Sequence, residues 1–268
     1  MSRIDRVFET REATAFIGFT VAGDPDEATS LRIAKALIDG GTEILEFGVP
    51  FSDPVADGPV IQRADDRALA AGTNPDMVFR LVKGVREYSD VPIAFLTYYN
   101  IVHKRGIDRF YREAHEAGVD GILIADMPVE EAEEVLQAAT RYAIDPIFLI
   151  SQTTSDERIR KIAAKARGYL YLVAVLGVTG VRDQVSSGAL DLLRRVRRYT
   201  DLPLALGFGI SVPEHAKTCT AAGADGIIVG SAIVEIVERN LGSPESMERE
   251  LRDYVAQMKR ATDCAITE

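Results

Sequence analysis

The chain has 268 residues, 47% of them hydrophobic, with no composition break to mark a second domain, so one well-buried domain spanning 1–268 is expected. A formal charge of −10 argues against broad contact with nucleic-acid phosphates, and the longest apolar stretch, Tyr169 to Val178, falls short of the ~20 residues of a membrane helix. Two widely separated cysteines, Cys219 and Cys264, are too few for a disulfide framework, and the opening MSRIDRVFET lacks the apolar core of a signal peptide, which points to the cytoplasm.

In chain order, Ala15 to Val21 reads as a first strand and GDPDEA as a helix start, with Asp24 as the cap and Pro25 at the first helical position. Leu31, Ala34, Leu37 and Ile38 recur at helical spacing to about Asp39, and Gly40 and Gly41 stop the helix. A second strand runs from Thr42 to Phe47, then gives way to a proline-rich acidic loop, VPFSDPVADGP. Asn74-Pro75-Asp76 opens another helix, and VPIAFLTYYN from Val91 is the third strand. AKALIDGGTEILEFG, YREAHEAGVDGILIAD and AKTCTAAGADGIIVG then share one plan of helix, glycine cap and strand. With looser versions between them, this places eight strands near residues 17, 44, 94, 122, 147, 171, 205 and 227. Alternation of near-continuous apolar strands with helices predicts a parallel sheet, and eight units favour a closed (β/α)8 TIM barrel. An open doubly wound sheet is the alternative, without a GxGxxG after its first strand.

Three constellations stand out at the expected C-terminal mouth, where barrels of this class place their active sites. Glu46 shares a face with Ile44, while Leu45 and Phe47 point the other way. Turned into the barrel among apolar side chains, it becomes a proton-transfer group with a raised pKa; turned outward, it is a solvated strand end. Asp57 is close enough to fold over the same mouth, or is a turn residue in Ala56-Asp57-Gly58-Pro59. Gly207 to Ser211 and Gly230-Ser231-Ala232 each lead into a helix, so they are either tight turns or anion sites made of main-chain amides. Together, with no Lys or Arg between Gly207 and Ser211 or between Asp225 and Ala232, they favour a phosphate site. Gly177 to Arg182, extended by polar residues to Gly188, is either a hinged lid or a connection without a role.

Lys35, Lys83, Lys104, Lys161, Lys165, Lys217 and Lys259 all fall on predicted helices or loops, so no Schiff-base lysine ends a strand. His103, His115 and His215 lack metal-ligand spacing and read as surface residues. Proton transfer by carboxylates on a phosphorylated substrate remains.

LEFGVPFSDPVADGP closely resembles the signature of the tryptophan synthase alpha chain family, and FTVAGDP, LGVTGVR, GFGIS and GSAIVEIVE resemble its other blocks in order, from about Ile4 to Met258. The resemblance implies a retro-aldol cleavage of indole-3-glycerol phosphate to indole and glyceraldehyde 3-phosphate without a cofactor. It implies Glu46 as the acid–base carboxylate, Asp57 against the indole N–H, and Phe19 and Tyr171 around the indole. Gly180, Gly209, Gly230 and Ser231 would hold the phosphate, with Thr179 on the lid near Asp57. It further implies an alpha-beta-beta-alpha heterotetramer with a pyridoxal-phosphate beta chain, contacted through Asp53, Pro54, Asn100 and the lid. Phe47 and Ala174 depart from the family's usual aliphatic residue and serine. Rival expectations are another phosphate-binding barrel enzyme and a non-catalytic barrel that activates a partner.

Overall fold

The computed structural model describes residues 1–10, 13–173, 187–207 and 209–263. Its strands are β1 (Ala15–Val21), β2 (Ile44–Gly48), β3 (Ile93–Thr97), β4 (Gly121–Ile124), β5 (Asp145–Ser151), β6 (Leu170–Val173), β7 (Leu204–Gly207) and β8 (Gly226–Val229). All pair in parallel in sequence order, and β8 closes on β1, giving the expected barrel and excluding the open sheet.

The helices before β4 are α1 (Arg3–Thr10), α2 (Glu27–Gly40), α3 (Pro59–Ala70), α4 (Pro75–Arg86), α5 (Tyr99–Arg105) and α6 (Ile107–Ala117). After it come α7 (Glu133–Arg141), α8 (Asp156–Lys165), α9 (Ser187–Arg197), α10 (Pro213–Ala221), α11 (Ser231–Arg239) and α12 (Pro244–Asp263). The glycines that ended the repeated helices in the sequence sit in the left-handed region, Gly41 at φ 109°, Gly118 at 100° and Gly223 at 86°, where a side chain would be strained.

Alternation along each strand sorts side chains into two layers. Ile17, Ile44, Ala94, Leu123, Ile147, Ala205 and Ile228 fill the barrel, whereas Phe16, Leu45, Phe47 and Phe95 pack outward against the helices. Phe47 thus alters only the strand–helix packing. The N-terminal end is closed by α1, an element with too few apolar residues to show in the sequence. Its Ile4 reaches the space left by Gly121, where a Cβ would stand 2.9 Å from the Ile4 Cδ1, and its Phe8 ring lies 6.0 Å from that of Tyr169. Burying two such side chains contributes about 1.5–3 kcal/mol each.

Three expectations are corrected. The cap of α2 is Asp26, whose side chain accepts from the Thr29 N–H; Asp24 is buried and pairs with Arg67 through two 2.8 Å contacts instead. The third strand stops at Thr97, and Tyr99 already begins α5, because the Asp126 carboxylate takes the Tyr99 N–H that a ladder would use. His215 is not a surface residue: it is 8% exposed, and its Nδ1 accepts the Ser211 N–H at 3.4 Å.

Candidate active site

A cavity of about 450 Å³ opens at the C-terminal mouth of the barrel. Phe19, Asp57, Tyr171, Gly209, Gly230 and Ser231 all line it, so most of the residues picked out in the sequence converge on one space. Thr179 and Gly180, and the expected lid from Gly177 through Ser186, lie outside the described residues, as does Ala174.

Phe19 from β1 and Tyr171 from β6 form apolar walls, and Gly207 at the end of β7 and Gly230 just after β8 make room for them. A Cβ on Gly207 would stand 2.4 Å from the Tyr171 ring, and one on Gly230 would stand 3.0 Å from Phe19. These glycines therefore do more than offer amides: any side chain there would push a ring into the cavity. Across the mouth, Ser231 starts α11 and Gly209 precedes α10, so the backbone of two loops borders the cavity, whose lining holds Glu235 but no Lys or Arg. The loop before α10 is pinned from behind, where the Tyr254 hydroxyl of α12 donates to the Ser211 carbonyl at 3.0 Å and His215 receives the Ser211 N–H. Tyr254 did not stand out in the sequence, since it lies on α12, remote from the motif, and His215, on the helix that follows the motif, gave no sign that its ring turns back to Ser211.

Glu46 is on the inner face of β2, in register with Phe19 and Ala94, and is 0% exposed. It lies in the side-chain layer under the cavity rather than in its lining. The Tyr169 hydroxyl donates to Oε1 at 3.3 Å, and Oε2 is buried without a hydrogen-bond partner. Burial drives the carboxyl up to about 8; the tyrosine bond opposes this and the charge of Asp57 adds to it. At neutral pH the side chain is a neutral acid holding a transferable proton.

Asp57 stands at the end of the acidic loop, just before α3. Its Oδ2 accepts a 2.5 Å hydrogen bond from the Tyr98 hydroxyl, which itself accepts from the Ala56 N–H at 3.1 Å. The Phe51 ring stacks on Tyr98 at 5.0 Å. Burial raises the Asp57 carboxyl above its ordinary value, while the Tyr98 donor favours the charged form. Tyr98 was hidden within VPIAFLTYYN, because composition alone cannot say where that strand ends. Asp53 and Asn100 are exposed near the same mouth, Pro54 is half-buried, and Val55 beside them is 83% exposed. An acid buried beneath a cavity, a second carboxylate in its wall and an amide-rich far side together suit proton transfer to a bound organic phosphate.

A family model described as tryptophan synthase alpha chain matches residues 7–263. A tryptophan synthase alpha chain of Methanoregula boonei is 70% identical over 98% of this chain and 99% of its own length. That of Methanothermobacter thermautotrophicus is 47% identical over 95% and 94%. Among solved structures, the alpha chain of Legionella pneumophila superposes with a TM-score of 0.91 at 33% identity, covering all of both chains. A chain from the tryptophan synthase α2β2 complex of Pyrococcus furiosus does so at 0.87 and 39%, covering 92% of this chain and 98% of that one.

Proposed function

The chain belongs to the tryptophan synthase alpha chain family, and on that premise we propose that Glu46 and Asp57 carry out its lyase reaction. The reaction cleaves indole-3-glycerol phosphate to indole and glyceraldehyde 3-phosphate, and the chain works with a tryptophan synthase beta chain. The observation that carries the assignment is a fully buried Glu46 with an unpartnered Oε2 beneath the cavity whose wall holds Asp57 against Tyr98.

Glu46 gives its proton to C3 of the indole, and the positive charge that develops on the ring N–H is met by the Asp57 carboxylate. The C3–C bond to the glycerol chain then breaks, and its electron pair returns to the ring. The neighbouring hydroxyl becomes the aldehyde as Glu46, now ionised, takes its proton back. The protonated ring is thus its own electron sink, and the step needs neither a lysine imine nor a metal. Because Glu46 lies under the lining, it reaches C3 by leaving its 3.3 Å bond to Tyr169, a length at the weak end for such a contact. Phe19 and Tyr171 sandwich the ring, while Gly209, Gly230 and Ser231 take the phosphate through main-chain N–H groups and the helix start. Gly180 is assigned to the same phosphate and Thr179 to Asp57, both outside the described residues, and Asp53, Pro54 and Asn100 are assigned to the beta chain contact. No helix among the described residues is long and apolar enough to cross a membrane, and the buried free thiol of Cys219 suits a cytoplasmic setting.

Indole release from indole-3-glycerol phosphate, measured with and without a beta chain, tests the assignment. Release that rises when the beta chain is added supports it, and absence of release under both conditions refutes it.

A further inference from the structure

Gly209, Ile210 and Ser211 border the cavity with backbone, and a main-chain site grips an anion well only where its peptides are already held in place. Gly209 sits in the left-handed region at φ 55°, and the Ile210 side chain is buried in the core. The peptide planes on both sides of Ser211 are bonded to side chains behind the loop. The Tyr254 hydroxyl of α12 donates to the Ser211 carbonyl at 3.0 Å, and the Ser211 N–H donates to Nδ1 of His215 on α10 at 3.4 Å. One bond orients the peptide after Ser211 and the other the peptide before it, so together they set its φ and ψ.

Each partner is suited to this by its place. The cap of α10 is Val212, which has no side-chain bond to offer, and Pro213 follows it. His215 is the third helical residue, whose side chain points back toward the helix start; from this position a Glu or Gln reaches the cap N–H in a capping box. An imidazole accepts an N–H from there without setting a carboxylate behind an anion site. Accepting at Nδ1 puts the ring proton on Nε2, and that atom is buried without a hydrogen-bond partner. A buried donor left unpaired is unfavourable, which marks the ring as placed for its other nitrogen. Tyr254 stands beside Val255, which packs so closely on α2 that a Cβ on Gly40 would lie 2.7 Å from the Val255 Cβ. Its hydroxyl is therefore carried by a firmly seated helix. We infer that His215 and Tyr254 are positioning residues that set the loop from Gly209 to Ser211 for the substrate's phosphate. The inference rests on the phosphate placement proposed above. Both side chains stand behind the cavity lining rather than in it, so losing either contact weakens the hold on the phosphate end and leaves the chemical step as it was.

The test uses the chain together with its beta chain and follows glyceraldehyde 3-phosphate formation from indole-3-glycerol phosphate, with glycerol 3-phosphate or indole as competitor. Tyr254→Phe and His215→Leu are each expected to raise KM about fivefold, the scale of one neutral hydrogen bond, with kcat within about twofold. The inhibition constant of glycerol 3-phosphate should rise by the same factor and that of indole should not move, because only the phosphate end meets this loop. His215→Asn, whose Oδ1 is as many bonds from Cβ as the imidazole Nδ1, should return KM to within about twofold of the parent. A parental KM in either Tyr254→Phe or His215→Leu, a weakening of indole as large as that of glycerol 3-phosphate, or no recovery in His215→Asn overturns the inference; if His215→Leu does not fold, Tyr254→Phe decides. If glycerol 3-phosphate does not compete with the substrate of the parent, the phosphate placement falls and takes this inference with it. If it competes equally well in parent and variants, only the inference falls.

Discussion

Replacing Glu46 by glutamine should make the protein more stable, and by an amount that grows with pH. Folding raises this carboxyl from 4.5 to about 8, chiefly by desolvation. The folded chain therefore binds the proton more tightly than the unfolded one. Its contribution is whole below the unfolded value and is lost as pH rises through the folded one. Each unit in that window costs about 1.4 kcal/mol, so the burden is roughly 3 kcal/mol at neutrality and nears 5 kcal/mol above pH 8. Glutamine has no proton to lose and keeps the shape. Urea unfolding of parent and Glu46→Gln should give stabilities whose difference widens by about 4 kcal/mol between about pH 5 and pH 9, other titrating groups being common to both chains. A difference that stays constant over this range would show that Glu46 is not held in a desolvated pocket, and the proton-transfer argument would lose its basis.

Other perturbations probe the walls and the floor. Tyr98→Phe removes the donor to Asp57 and the acceptor for the Ala56 N–H; steady-state kinetics should show kcat down about tenfold with little change in KM, and a parental kcat would contradict the geometry. Gly207→Ala places a methyl 2.4 Å from the Tyr171 ring, a clash of the size that costs about 1–3 kcal/mol, and should raise KM at least several-fold as the ring moves into the cavity. Phe8→Ala opens the barrel floor beneath Tyr169 and should cost about 3–5 kcal/mol in urea unfolding, with KM little changed because the substrate lies at the opposite end.

The barrel was legible because its strands are continuous apolar runs and its helices end in glycines that only a left-handed cap explains, as at Gly41, Gly118 and Gly223. That Glu46 shares a face with Ile44 and not with Leu45 was legible from parity along β2; that this face is the barrel interior is what the structure adds. Less was legible where side chains from distant elements meet. Asp24 has the composition of a helix cap, but Arg67, 43 residues away, captures it. His215 is one turn of helix from an exposed-looking start, yet its ring is drawn inward by the Ser211 N–H. Tyr98 and Tyr169 make contacts with Asp57 and Glu46 that no local pattern announces. Nor did α1 stand out, since Ile4 and Phe8 are too few to signal an element until the hole at Gly121 is seen.

The central claim is that Glu46 moves the proton, and the most direct measurement is kcat for indole release by Glu46→Gln in the presence of a beta chain. The account predicts a loss of about a hundredfold or more, with KM changed only a few-fold, because the amide fills the same space and has no proton to give. A variant that turns over at the parental rate contradicts it.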